Sequence, residues 1–389
     1  MSHNTFILLI FMINMNSDIC LIILRFMKKN IHIITTISKK MHYVVVDNNM
    51  MMLNCNILRT YCLLNIIDEM TMNNIRKKFN MSKVTISDIH DVYDVNVIHK
   101  YNLTHLSFDD DFKYKFDIKI LPKTLTYLKI GENFNNPYRD LPKNLTELVF
   151  TDSFNREICG LPYGIKHLTF GFFFNQPVDD LPNSITHITF GHHFNASVDS
   201  LPNSVIYIKF GGMFNNTVDK LPEKLLHLSF HDNSQFDQNV DNLPKKLKVL
   251  KLGYTFNKLV DNLPKSLEEL SLGCIFHQNI DKLPYGLKKL SLGRFFDNDV
   301  SKLPDTITHL SLGLFFNQPI DILPKSLEYL CIGYIFSHSI DILPPKIKWI
   351  ELPKYNFNTK HILQNNKNVV LHELTKNGYD YVRIIMCNK

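Results

Sequence analysis

Leu181-Pro-Asn-Ser-Ile-Thr-His-Ile-Thr-Phe-Gly-His-His-Phe-Asn-Ala-Ser-Val-Asp199 is the stretch from which the rest of the chain can be read. The same phrase begins again at Leu121, Leu141, Leu161, Leu201, Leu221, Leu243, Leu263, Leu283, Leu303, Leu323 and Leu343, a period of 20 residues broken once. Counting the first Leu as zero, the rule is Pro at 1, aliphatic at 4, 7 and 9, Gly at 10, Phe at 13, Asn at 14, Val or Ile at 17 and Asp at 18. A period in this range specifies stacked supersecondary units, each too small to bury its own apolar face.

Each position has a physical task. Alternation over 7 and 9, as in Leu270 and Leu272, is that of a short strand, with 6 and 8 on its other face. If each coil advances by one strand spacing, every strand pairs in parallel with its copies. Gly at 10, as in Gly253, Gly273 and Gly293, falls where the strand turns away and is expected to take a positive φ. Phe at 13 is the most regular position. Phe134, Phe154, Phe174, Phe194, Phe214 and Phe236, followed by Phe256, Phe276, Phe296, Phe316 and Phe336, are expected to form one continuous aromatic spine. Asn at 14 offers a side-chain amide to backbone groups left over at the bend. Pro at 1 has no N–H and belongs outside the strand ladder.

Leu-x-x-Leu-x-Leu at 4 to 9 resembles the strand of leucine-rich repeats. Leu-Pro-x-x-Leu-x-x-Leu followed by Phe-Asn-x-x-Ile/Val, as in Phe316-Asn-Gln-Pro-Ile320 and Phe174-Asn-Gln-Pro-Val178, resembles the FNIP repeat family over about Leu121 to Leu352. That family is found mainly in amoebae and large DNA viruses. The resemblance implies a parallel β solenoid, one strand per coil, with no catalytic residues and no cofactor.

Among 389 residues 45% are hydrophobic and 21% charged, as in an ordinary folded protein. The net charge of +6 comes from Lys and Asp scattered through the repeats, which argues for a solvated surface and against nucleic acid. Seven cysteines stand without metal-ligand spacing, which suits a reducing, cytoplasmic compartment, the host's if the source is viral. The eight-residue apolar run Phe6–Ile13 is too short for a membrane span and lacks the flanks of a secretory signal.

Residues 15–27 read as a helix capped by Ser17 or Asn16, with Ile19, Ile22, Ile23 and Phe26 on one stripe. A second segment, 30–43, has helical spacing and also permits a strand. Together they resemble an F-box over roughly 13–45. Met15-Asn-Ser-Asp-Ile19 stands at the Leu-Pro-x-Glu/Asp-hydrophobic motif, and Ile37-Ser-Lys-Lys-Met41 at Val-Ser-Lys-x-hydrophobic. Met15-Asn16 departs from Leu-Pro. The resemblance implies a Skp1-like adaptor bound through Ile19, Ile22, Ile23 and Phe26. The division is therefore a helical module over 1–45, a linker and N-terminal cap over 46–101, repeats over 102–352 and a C-terminal cap over 353–389. Within the linker, 53–70 permits a helix and Lys83–Ile86 reads as a strand beside the first coil. Leu103, Leu106 and Phe108 mark a worn first repeat, and 231–235 an edge insertion of two residues.

If positions 7 and 9 face inward, position 6 lines the opposite, concave face. It reads Tyr127, His167, His187, Tyr207, His227, His309, Tyr329 and Trp349, interrupted by Glu147, Val249, Glu269 and Lys289. Aromatic and imidazole side chains on an exposed sheet are what a protein-recognition surface contains; an exposed strand also favours Tyr and Thr for its own sake. His187, His192 and His193 have no carboxylate or Cys placed beside them and are not read as a metal site. Ser, His and Asp recur with the repeat and not at unique positions, so no nucleophile, base and acid set is indicated. The sequence thus reads as a monomeric, non-enzymatic scaffold with a protein target on the repeats and no membrane contact.

Overall fold

The computed structural model describes residues 103–108, 118–131, 138–340, 342–354, 369–376 and 379–386, together with three short N-terminal strands. Eighteen strands form one continuous sheet. They are β1 (Tyr43–Val46), β2 (Met51–Asn54), β3 (Lys83–Ile86), β4 (His105–Phe108), β5 (Tyr127–Ile130), β6 (Glu147–Phe150), β7 (His167–Thr169), β8 (His187–Thr189) and β9 (Tyr207–Phe210). The series continues with β10 (His227–Phe230), β11 (Val249–Lys251), β12 (Glu269–Ser271), β13 (Lys289–Ser291), β14 (His309–Ser311), β15 (Tyr329–Cys331), β16 (Trp349–Pro353), β17 (Val369–Lys376) and β18 (Tyr379–Met386). From β3 to β16 every neighbour is parallel and one repeat apart, so position 6 lies beside position 6 throughout, as in His167↔His187↔Tyr207.

Both ends of the parallel run are closed by antiparallel strands. At the N-terminal end β3 pairs with β4, β1 pairs antiparallel with β3, and β2 with β1. Lys83–Ile86 is thus the strand read beside the first coil. Leu53 and Asn54, inside the segment that permitted a helix, belong to β2, and β1 crosses the division expected at residue 45. The F-box-like residues 13–42, and Phe134, lie outside the described residues. At the C-terminal end the two strand-like runs of the tail form a hairpin, β17 with β18, and β18 covers β16 antiparallel.

The core repeats as the sequence does. Positions 0, 4, 7, 9, 13 and 17 are buried on nearly every rung, and positions 6 and 8 alternate outward. The spine rings from Phe154 to Phe336 are stacked, with Phe174, Phe194 and Phe214 spaced 6.0 Å apart and their planes nearly parallel. Position 9 departs from the aliphatic rule in five consecutive copies, Phe150, Phe170, Phe190, Phe210 and Phe230. There a second ring lies 3.8 to 4.1 Å from the spine ring of the same coil.

Spacing widens away from the sheet. Strands lie about 4.8 Å apart in any sheet, the position 9 rings Phe170, Phe190 and Phe210 are 5.4 and 5.3 Å apart, and the spine rings 6.0 Å. Coils that fan in this order bend with the sheet on the inner side, which makes positions 6 and 8 the concave face.

Hydrogen bonds between rungs hold the register. Each Asn at 14 accepts the N–H of position 14 one coil on: Asn155 from Asn175 at 2.9 Å, Asn175 from Asn195 at 2.8 Å, Asn195 from Asn215 at 2.9 Å. The Pro at 1 keeps out of the ladder, while its carbonyl accepts the N–H of position 4, as in Ile185 to Pro182 at 3.1 Å. The two-residue insertion makes an edge turn closed by Ser234 N–H on His231 O at 2.8 Å. The spine passes it undisturbed, with Phe236 6.2 Å from Phe214 and 6.1 Å from Phe256.

The expected positive φ at position 10 is not found; among the described glycines it belongs to Gly160, φ 68°. The reason for glycine is close approach between coils. A Cβ at Gly293 would lie 1.6 Å from the carbonyl oxygen of Gly273, and one at Gly191 1.7 Å from that of Gly171. Gly293→Ala is accordingly expected to cost about 2 to 3 kcal/mol, the upper range for overpacking, since the obstacle is backbone. Gly131→Ala, whose Cβ would meet only the Thr151 Oγ1 at 3.0 Å, should cost less than half of that in urea unfolding. Equal costs would refute the close-approach account.

Candidate functional site: the concave face

Parallel pairing in register brings the position 6 side chains into contact across strands, and they form three ladders. The first is His105 on Tyr127, rings 5.6 Å apart. The second runs over four rungs: His167 to His187 at 4.5 Å, His187 to Tyr207 at 5.5 Å, Tyr207 to His227 at 4.5 Å. The third joins His309 to Tyr329 at 4.1 Å and Tyr329 to Trp349 at 5.0 Å. Arg383 from β18 caps this ladder, its guanidinium 4.5 Å from the Trp349 ring centre. Glu147 and the Val249, Glu269, Lys289 run separate the ladders, because these side chains offer no ring.

All eight position 6 residues named from the sequence therefore stand on one face, most of them half-buried by their neighbours. Three features were missed. His105 belongs to the worn first repeat, and carrying the register back by one coil would have found it. Arg383 comes from the tail, where no repeat pattern reaches. A rim of rings borders the face just past the strands, at positions 11 and 12: the exposed Phe172 and Phe173, then the exposed Phe295 and the half-buried Phe315, with Arg294 5.3 Å over the latter.

Electrostatics differ along the face. Between β11 and β16 charges are cancelled between rungs: Lys251 with Glu269 at 2.9 Å, Lys248 and Lys288 with Glu268 at 2.6 and 2.7 Å, Lys348 with Glu328 at 2.7 Å. On β7 to β10 no acidic side chain stands among the strand residues. Burial, then the neighbouring His167, lowers the pKa of His187, and burial, then Lys251, lowers that of His227. Burial, followed by Lys289, does the same for His309, while burial and then Glu147 raise the Tyr127 hydroxyl. These shifts hold the His187, His227 and His309 rings toward the neutral form, which favours packing beside neighbouring rings.

His187 does not meet His192 and His193 in a cluster. The latter two stack instead on rim rings, His192 on Phe172 at 4.7 Å and His193 on Phe173 at 5.2 Å. Among the described residues no three of His, Cys, Asp and Glu converge on a point where a metal would sit. No helix among them is long and apolar enough to cross a membrane.

Comparison with known proteins places this architecture. No curated protein matches the chain. The solved structure of CroV588, described as a novel circular LRR protein, is similar: 38% identical over 69% of this chain, with a TM-score of 0.60. The chain spans 41% of the length of CroV588. YopM from Yersinia enterocolitica WA-314 is 19% identical over 64% of this chain and 59% of its own, TM-score 0.40. An internalin, InlF, from Listeria monocytogenes str. 4b F2365 is 14% identical over 71% and 87%, TM-score 0.40. The FNIP Repeat model matches residues 101–133, 134–173, 174–213, 197–233, 236–274 and 316–355, more than half of the sequence. With its dozen parallel, leucine-rich-repeat-like coils and Phe-Asn phrase, the chain belongs to the FNIP repeat family.

Proposed function

We propose that this protein is a non-enzymatic, monomeric interaction scaffold of the cytoplasm whose concave sheet face holds a target protein. The carrying observation is the division of labour within each rung. Positions 0, 4, 7, 9, 13 and 17 are spent on the core and position 14 on the ladder of amides, while position 6 carries partly exposed rings aligned across strands. Rings fixed by their neighbours lose little freedom on binding, so such a surface can gain affinity at low entropic cost.

The test is partner capture by cross-linking and affinity purification from the native host cell. Wild type is compared with His187→Asp and Tyr329→Asp on the face, and with Lys265→Glu in the exposed turn before β12. A partner held by wild type and K265E should be lost from at least one face variant; retention by both would overturn the reading.

The second reading makes the protein a substrate receptor of a Skp1-cullin-F-box ubiquitin ligase. Its support is sequence alone, the phrases Met15–Ile19 and Ile37–Met41. It requires a Skp1-like adaptor to co-purify with wild type and to be lost from Ile23→Asp. Equal recovery, or none, leaves the scaffold without that link.

A further inference from the structure

We propose that the four rungs β7 to β10 form a docking site for an extended acidic segment of a partner protein, and that His187 takes up a proton as a carboxylate docks. This rests on the concave face being the partner surface and supplies the partner's chemistry.

Three observations carry it. First, this stretch is basic and uncompensated by acids of its own: Lys166 precedes β7, Lys209 lies on β9, both are exposed, and no Asp or Glu stands on the four strands. On the neighbouring rungs Lys251 and Lys288 are already matched by Glu269 and Glu268. A partner that supplies carboxylates here completes a pattern that the C-terminal half completes internally.

Second, His187, Tyr207 and His227 stack on each other along the ladder, and His167 leans on His187 with its plane tilted by 37°. The faces inside the ladder are occupied, so there the edges are what a partner meets. Base stacking needs free ring faces, whereas a carboxylate needs N–H and O–H donors. The surface therefore suits an acidic peptide better than a nucleic acid.

Third, Nδ1 of His187 is engaged by its neighbour. Thr186 Oγ1 lies 2.9 Å from His187 Nδ1 and 3.2 Å from Lys166 O, a carbonyl that already accepts the backbone N–H of Thr186 and of His187 at 2.8 and 3.0 Å. Nε2 is therefore the ring nitrogen left to a ligand. A carboxylate at Nε2 binds the protonated, charged ring more tightly than the neutral one, so docking draws in one proton. The titratable and charged groups around the ring are His167 from β7, with Lys166 before it and Glu147 beside it on β6, and Tyr207 and Lys209 from β9. His227, one rung further, is faced by Lys251 on β11 and Glu269 beyond it on β12.

The experiment uses the full chain and a fluorescein-labelled peptide with a run of six glutamates, read by fluorescence anisotropy. Affinity should rise on going from about pH 7.5 to about pH 5.5, by up to about tenfold per pH unit for one proton taken up. Glutamines in place of the glutamates should abolish binding, Lys209→Glu should weaken it strongly, and His187→Gln should flatten the pH profile. K265E should bind as wild type does. Binding independent of pH, or equally tight to the glutamine peptide, would overturn the proposal, as would displacement of the peptide by oligothymidylate at lower concentration. If the captured partner is lost from the face variants while the glutamate peptide fails to bind, the acidic-segment inference falls and the scaffold reading stands.

Discussion

Phe194→Ala is expected to lower the stability of the array by about 3 to 5 kcal/mol, the cost of emptying a fully buried aromatic site. Phe194 has no exposed surface; its ring lies 3.9 Å from Phe190 and 6.0 Å from both Phe174 and Phe214. Truncation thus removes contacts at two interfaces of a fold in which neighbours supply what a single coil lacks. The walls cannot close over the gap, because the adjoining backbone is pinned by the amides of Asn175 and Asn195, at 2.8 and 2.9 Å. Urea unfolding measures the loss. Phe194→Leu, which refills most of the volume, should lose only about 1.5 kcal/mol. Phe194→Ala combined with Phe214→Ala, in contact, should depart from additivity by about 0.5 kcal/mol or more, whereas Phe194→Ala with Phe276→Ala should add. A loss under about 1 kcal/mol for the single truncation would mean that the spine is not what couples the coils.

The stacking direction was legible because one period carried it. Leu at 0 and 7, Phe at 13 and Asn at 14 recur at a fixed spacing, and only a parallel stack satisfies all of them together. The glycine at 10 was misread because a positive φ and a close backbone approach both select glycine, and a single coil does not distinguish them. Thr151 and His231 at that position held the clue: a β-branched residue avoids the left-handed region, so the site cannot demand it. The second layer of rings was hidden by averaging. Phe150 to Phe230 occupy position 9 in five successive coils, and Leu252, Leu272 and Leu292 follow, so the pattern changes midway through the array. The place of the Thr186 hydroxyl between His187 Nδ1 and Lys166 O was out of reach, since the second of these lies on the coil before. Arg383 was illegible for a related reason: its partner, Glu351, is 32 residues away across a stretch with no repeat.

Arg383→Met should destabilise the C-terminal end by about 3 kcal/mol, the lower end of the cost of breaking a buried ion pair from one side. Glu351 has no exposed surface. It accepts from Arg383 Nε at 2.8 Å and Nη2 at 2.6 Å, and from Lys376 Nζ on β17. Burial alone would raise its pKa, but the hydrogen bonds from Lys376 and Arg383 outweigh it and hold the carboxyl below its usual value. Beside it burial pushes the Cys331 thiol up to about 11, so no negative charge competes there. Methionine keeps an apolar stem over Trp349 and removes the guanidinium, leaving a sealed carboxylate with one cation. The opposite change, Glu351→Leu, strands only Arg383 and Lys376, whose side chains are 35% and 42% exposed and can take up water. Its cost should be about 1 kcal/mol, so the two variants are unequal although they break the same pair. The sign with pH follows from the depressed folded value. The carboxylate's contribution is complete above the unfolded value of about 4.3 and fades as pH falls through the lower folded one. The gap between wild type and R383M should therefore narrow in acid. Equal losses for R383M and E351L, or a gap that persists in acid, would show that the hairpin is held by its strand pairing alone and that the buried carboxylate is not its latch.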